Sequence, residues 1–252
     1  MASYLVTGAS RGLGLELARQ LASFPASEVS RVFATARGYA PELEELAKKS
    51  SGQVVVIKLD VADEASIKQA EAEVEANLDG KGLDVLINNA GILQYSPNGV
   101  NTMDNLTESF TTNVLGVHWV TRTFIPLLQK GTLKKVVNIS TTVGSIALAR
   151  SFHPLPAPAY KITKAALNSL TIQYALDYEQ EGFTFFALSP GWLRTDLGGE
   201  VADLPVEQGA KASLERIMGA GKEQNGQFLN ILIKGWDKAG WRNQYDGATN
   251  PW

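Results

Sequence analysis

Seven short apolar runs rich in β-forming residues recur along the chain, at 4–6, 32–35, 54–59, 85–87, 136–139, 183–188 and 228–232. Segments of helical length lie between them, and those at 13–21, 64–78, 103–128, 160–178 and 206–218 carry apolar residues at three- and four-residue spacing. Continuously apolar strands are buried on both faces, and strands that alternate with helices are joined by crossovers. The pattern therefore predicts a Rossmann-type doubly wound α/β fold, with about seven parallel strands, helices on both faces and right-handed connections. A chain of 252 residues, 44% of them hydrophobic, suits one such domain over 1–252 with a well-buried core. Asp63 is placed to cap the second helical segment, and Gly131 follows the end of the third.

Several function classes drop out on composition. The formal net charge is -3 and the 23 basic residues are scattered, so no stripe exists to neutralise a phosphate backbone and nucleic-acid binding is disfavoured. Without cysteine there are no disulfides, thiolate nucleophiles or cysteine zinc sites, and His118 and His153 form no metal-binding spacing. No secretory signal is visible after Met1, and no stretch reaches the ~18–20 uncharged apolar residues of a membrane span. The expectation is a cytoplasmic protein with no membrane partner and no metal.

The first strand runs into Thr7-Gly8-Ala9-Ser10-Arg11-Gly12-Leu13-Gly14. A glycine-rich turn that opens a helix offers backbone N–H groups and a positive helix end to a pyrophosphate. The spacing is Gly-x-x-x-Gly-x-Gly, and a turn that binds nothing is the plain alternative. The second strand ends in Ala34-Thr35-Ala36-Arg37. It offers no carboxylate to a free ribose 2'-hydroxyl, whereas Arg37, with Arg11, suits a 2'-phosphate, so NADP(H) is favoured over NAD(H). Asp60, ending the third strand, either reaches the adenine or caps the next turn.

Tyr160 and Lys164 are four positions apart on a helix and share a face, so the ammonium can favour the phenolate and fit Tyr160 for proton transfer. The hydroxyls of Ser140 and Thr141 stand about twenty residues earlier. Between them, 145–159 contains Pro154, Pro156 and Pro158 and is expected to be an extended loop. A second irregular stretch, 191–204, carries Gly198 and Gly199 and could form a mobile lid, with the substrate region reaching to about 222. Phe152, His153 and Leu155 suit a wall for a bulky substrate or ordinary loop packing. The aromatic tail of Trp236, Trp241, Tyr245 and Trp252 suits core or interface packing, or closure of the pocket.

Taken together, Gly8, Gly12 and Gly14, Asn88-Asn89-Ala90-Gly91, Asn113, the run from Asn138 to Gly144, Tyr160-x-x-x-Lys164 and Pro190-Gly191 resemble the short-chain dehydrogenase/reductase family along essentially the whole chain. The opening and the terminal Asp246-Gly247-x-x-x-Pro251-Trp252 are similar to its norsolorinic acid ketoreductase and C-factor-like members. The resemblance implies that Tyr160 protonates a carbonyl oxygen as hydride leaves the nicotinamide. It further implies that Lys164 holds the nicotinamide ribose and lowers the tyrosine pKa, and that Asn113 supports a water path to Lys164. Ser10, Leu13, Val61, Asn89, Ala90, Gly91, Pro190, Leu193 and Thr195 join the cofactor set on the same ground, beside Trp192. The family's serine position is occupied by Thr141, which keeps a hydroxyl but adds a methyl and a stiffer χ1. Ser140 is the fallback donor, pointing to the opposite face if the strand persists.

The implied activity is NADPH-dependent reduction of a small-molecule ketone, bulky and apolar, aromatic or polyketide-type, in secondary metabolism. The helices at 103–128 and 160–178 pair between subunits in such proteins, implying a homodimer or homotetramer. The Thr141 departure keeps open an NADP-binding regulatory or partner-binding protein with little turnover. A cyclase or isomerase on the same scaffold is a third reading, separable because only reduction consumes NADPH stoichiometrically.

Overall fold

The computed structural model describes residues 1–236 and 243–252. Seven parallel strands, β1 (Ala2–Val6), β2 (Val29–Ala36), β3 (Val54–Lys58), β4 (Val85–Asn88), β5 (Lys135–Ile139), β6 (Thr184–Ser189) and β7 (Phe228–Asn230), form one sheet in the order β3-β2-β1-β4-β5-β6-β7. Adjacent residues in β1 feed opposite faces. Leu5 packs with Phe33, Ile57, Leu86 and Phe185, whereas Tyr4 and Val6 pack with Val32, Val137 and Phe186. Both faces are covered, so each fully buried large side chain contributes about 1.5–3 kcal/mol, and this requirement explains the unbroken apolar strands.

Helices α1 (Gly12–Leu21), α2 (Pro41–Lys49) and α7 (Val206–Gly219) supply Leu17, Leu43 and Ile217 to one face. The other is covered by α3 (Glu64–Asn77), α5 (Gly116–Lys130) and α6 (Pro158–Asp177), through Ile67, Phe124 and Ala175. As expected, Asp63 Oδ1 accepts the Ala65 N–H at 2.9 Å and Gly131 stands at the C-cap of α5.

Three sequence expectations need correction. Helix α2 is absent from the apolar pattern because only Leu43 is fully buried on it, while Pro41 at its start and Glu42 and Glu44 in its first turn favour the helix through their position. The expected continuous helix over 103–128 is instead α4 (Leu106–Phe110), a π-turn over Thr111–Leu115 and then α5. The loop at 145–159 is wound into consecutive turns rather than extended, with Ala149, Ser151 and Phe152 N–H groups donating to Ile146, Leu148 and Leu148 carbonyls. Its prolines come too late to prevent this, and Pro158 starts α6, where a missing N–H costs nothing.

The sheet order reverses between β1 and β4, so the crossovers from their carboxyl ends leave toward opposite faces and open a crevice. Among the described residues, no helix is long and apolar enough to cross a membrane.

Candidate active site

The crevice is floored by the turn between β1 and α1. Asn89, just past β4, donates from Nδ2 to Thr7 O at 2.9 Å and Gly8 O at 3.2 Å. Thr7 Oγ1 in return accepts the Asn89 and Ala90 N–H groups at 3.0 and 3.1 Å. Gly8 has φ +68, and a Cβ there would lie 2.8 Å from Ala90 Cα. A Cβ on Gly14 would lie 2.4 Å from Gly8 O. Only glycine allows this turn to fold so closely beneath the first turn of α1. Arg11, at the N-cap, makes no side-chain cap bond and no acidic residue occupies the first turn, so the positive helix end is not neutralised locally. Those free N–H groups fit a dinucleotide pyrophosphate.

Ser10, Arg11 and Arg37 are exposed at the rim. Arg37 has no acidic partner among the described residues, as a 2'-phosphate ligand requires, whereas Arg11 Nη1 is 3.0 Å from Asp196 Oδ2. Asp60 Oδ1 accepts the Ala62 N–H at 3.0 Å, the capping alternative, and Val61 packs against the face of Gly116 on α5. Half-buried Leu13 packs on the core.

At the ends of β4 and β5, Gly91, Asn113 and Lys164 converge: a Cβ on Gly91 would lie 3.2 Å from Asn113 Oδ1 and 3.7 Å from Lys164 Nζ. Asn113 is buried in the π-turn, a widening often found at functional sites. Its Oδ1 accepts the Ile92 N–H at 2.9 Å, and Nδ2 donates to Ile92 O at 2.9 Å and Thr163 Oγ1 at 3.1 Å. Both amide hydrogens are therefore engaged in fastening the segment after β4 to α6.

Lys164 Nζ donates to Ile139 O at 2.7 Å and stands 5.7 Å from the Tyr160 ring centroid. The Tyr160 hydroxyl has no hydrogen bond to any described residue. Burial pushes the Tyr160 phenol up and brings Lys164 down to about 8. The tyrosine is thus raised in the nucleotide-free fold, against the lowering that the Lys164 spacing suggests, because the phenol lies out of water. Thr141 lies just beyond β5, and the turn it opens packs on α6, where a Cβ on Gly144 would be 2.6 Å from Lys164 Cβ. Its Oγ1 accepts the Val143 N–H at 3.3 Å, whereas the buried Ser140 donates to Asn168 Oδ1 at 2.6 Å.

Pro190 and Gly191 lead from β6 into the second wall. Thr195 sits over the glycine turn, with Cγ2 3.4 Å from where a Cβ on Gly12 would be. Leu193 turns its side chain into the core against Gly209, leaving only its main chain for the cleft. His153 is exposed, with Phe152 and Leu155 half-buried. Trp236 and Tyr245 pack ring to ring, Trp252 stacks on Phe228, and Trp241 lies outside the described residues. No group of three His, Cys, Asp or Glu side chains among the described residues could hold a metal. Sequence reasoning named Thr7 only within the glycine run and Tyr245 only within the aromatic tail, and it passed over Thr163, Asn168 and Asp203. Their roles rest on contacts between segments distant in sequence.

With strand order, glycine turn and Tyr-Lys pair in place, the class is an α/β nucleotide-binding oxidoreductase. The short chain dehydrogenase model matches residues 3–204, and the chain belongs to that family. The chain is 35% identical over 217 residues to the short-chain dehydrogenase/reductase atnB of an Arthrinium species, covering 81% of this chain and 79% of that one. With C-signal of Myxococcus xanthus it shares 34% identity over 172 residues, 68% of this chain and 93% of the other. The NADPH-bound carbonyl reductase from chicken fatty liver superposes with a TM-score of 0.86 at 33% identity, over 100% of this chain and 94% of its own.

Proposed function

We propose that this protein is an NADPH-dependent ketoreductase for a bulky apolar ketone of aromatic or polyketide type, with Tyr160 as the proton donor. The observation that carries the reading is the buried Tyr160 phenol, without a hydrogen bond to any described residue and with Lys164 Nζ 5.7 Å from its ring, in the same fold as the glycine turn. A reduction needs its acid protonated beforehand, and burial keeps it so. NADPH, when bound, would supply the hydride. Tyr160 gives its proton to the carbonyl oxygen, and Thr141, whose hydroxyl lies just past the strand, donates a hydrogen bond to the same oxygen. Lys164 holds the nicotinamide ribose and, once drawn from Ile139 O, stabilises the phenolate left on Tyr160. Asn113 orders this corner and would support a water path to Lys164.

Gly8, Ser10, Gly12, Leu13 and Gly14 would hold the pyrophosphate side. Arg37 and Arg11 would hold the 2'-phosphate, Asp60 and Val61 the adenine, and Asn89, Ala90, Gly91, Pro190, Gly191, Leu193 and Thr195 the nicotinamide half. The NADPH of the chicken reductase supports the cofactor choice. The apolar substrate is supported by Ile146, 76% exposed beyond the Thr141 turn, and by Trp192, Leu197 and Val201 on the opposite wall, 42%, 44% and 82% exposed. A cytoplasmic homodimer or homotetramer belongs to the same reading, supported by exposed Ile162 and Leu176 on α6.

A panel of aliphatic, monocyclic and fused-ring carbonyls offered with NADPH tests the proposal. One alcohol formed per NADPH consumed, fastest with the larger rings, is expected. Conversion of a substrate without NADPH consumption would identify a cyclase or isomerase instead.

A further inference from the structure

The wall at 191–204 is closed at its neck. Leu204 N–H donates to Trp192 O at 3.1 Å, and Arg194 N–H donates to Leu204 O at 2.9 Å. Above this neck lies Tyr245, from the segment after β7, whose hydroxyl accepts the Trp192 N–H at 3.1 Å and donates to Asp203 Oδ2 at 2.6 Å. One phenol oxygen thus holds the first and last parts of the loop together. Asn243 Nδ2 donates to the same carboxylate oxygen at 2.7 Å. The Tyr245 ring is 3% exposed, and a Cβ on Gly191, where φ is +86, would lie 3.2 Å from its Cε1. The glycine thereby makes room for the clamp.

The loop so held carries Thr195 and Asp196 to the glycine turn. The Asp196–Arg11 pair is about three-quarters exposed on both sides, so it contributes little fixed geometry. The buried hydroxyl is the stronger restraint, since its removal would leave the Trp192 N–H without its partner.

We propose that Tyr245 is a positioning residue for the cofactor cleft: its hydroxyl, shared between the Trp192 N–H and the Asp203 carboxylate, fixes the 191–204 loop against the glycine turn and retains the bound nucleotide. This rests on the cofactor assignment made above. Tyr245→Phe keeps the ring and deletes both bonds. Asp203→Ala deletes one, while Asp203→Asn keeps an acceptor for the phenol.

Two readouts on the full chain test it: the NADPH dissociation constant by fluorescence titration, and the rate of limited tryptic cleavage after Arg194 without nucleotide. Tyr245→Phe is expected to weaken NADPH about tenfold and to speed cleavage by a similar factor, reflecting a more populated open loop. Asp203→Ala should shift both readouts in the same direction by a smaller factor, Asp203→Asn should recover most of that loss, and the double variant Tyr245→Phe/Asp203→Ala should be no worse than Tyr245→Phe alone. Unchanged cleavage and affinity in Tyr245→Phe, or losses that add in the double variant, overturn the proposal. Should Tyr245→Phe not fold, the contrast between Asp203→Ala and Asp203→Asn decides alone, equal behaviour of the two overturning it. A wild-type protein that does not bind NADPH would remove the cofactor assignment and the retention role with it, whereas normal NADPH binding with unchanged cleavage in Tyr245→Phe would remove the clamp only.

Discussion

Ser140 and Thr141 are neighbours in the chain, yet their hydroxyls serve different parts of the molecule: Ser140 Oγ is buried against Asn168 Oδ1 at 2.6 Å, and Thr141 Oγ1 faces the turn beyond β5. Both lie just past the end of β5 at Ile139, and because the backbone stays extended through Thr141 the two side chains take opposite sides, one to the interior and the other to the site. Thr141→Ser should keep activity within about tenfold, and Thr141→Val should lower kcat by roughly 10²-fold or more. Ser140→Ala should act on stability, costing about 1–3 kcal/mol because the Asn168 amide loses its partner. Steady-state kinetics and urea unfolding of the three variants check this. An active valine variant would transfer the role to Ser140.

Arg37 is exposed at the end of β2 with no acidic partner among the described residues. Arg37→Ala should weaken NADPH by roughly 10- to 100-fold and leave NADH nearly unchanged, since only the former carries the 2'-phosphate. Parallel titrations with both nucleotides check it, and equal losses would contradict the assignment.

Lys164 gives the pH dependence. Its pKa in the folded protein, about 8, lies below the ordinary lysine value, so between about pH 8 and 10.5 the unfolded chain binds more protons and stability rises with pH. Lys135, also lowered by burial, acts in the same direction. The cost of the charged Lys164 is on the order of 3 kcal/mol and is fully present below pH 8. Lys164→Met should therefore be more stable than wild type at pH 7 and show a flatter slope from pH 8 to 10. Urea midpoints of the nucleotide-free proteins across that window measure it. A slope that Lys164→Met leaves unchanged would exclude this source.

Asp84 is the opposite case. Burial alone would raise its pKa, but hydrogen bonds from Ser3, Thr132 and Leu133 outweigh this and lower it. Its stabilisation is present above the ordinary carboxylate pKa and is lost as pH falls through the depressed one. Asp84→Ala should cost roughly 2–4 kcal/mol at pH 7, because the Ser3 and Thr132 donors near the starts of β1 and β5 lose their acceptor. The difference from wild type should shrink in acid, which pH-dependent unfolding checks.

The strands were legible because two covered faces demand unbroken apolar runs, and the glycine turn and Tyr160-x-x-x-Lys164 were legible because their chemistry is local in sequence. Helix α2 escaped notice because it buries one leucine fully and leaves the apolar pattern faint. The π-turn at Asn113 was invisible because one wider turn hardly disturbs helical spacing. For Tyr160, i,i+4 spacing puts Lys164 on the same face but does not say that Ile139 O accepts a hydrogen bond from its ammonium. Tyr245 was legible only as one ring of the aromatic tail, and its pairing with Asp203, 42 residues away, leaves no local pattern.

The most direct test of the account is the rate of NADPH oxidation by wild type and Tyr160→Phe against the same bulky ketone, with NADPH affinity measured on both. A loss of turnover of roughly 10²-fold or more in Tyr160→Phe, at nearly unchanged affinity, is the predicted result. Equal turnover in the two proteins would remove Tyr160 as the acid and contradict the mechanism.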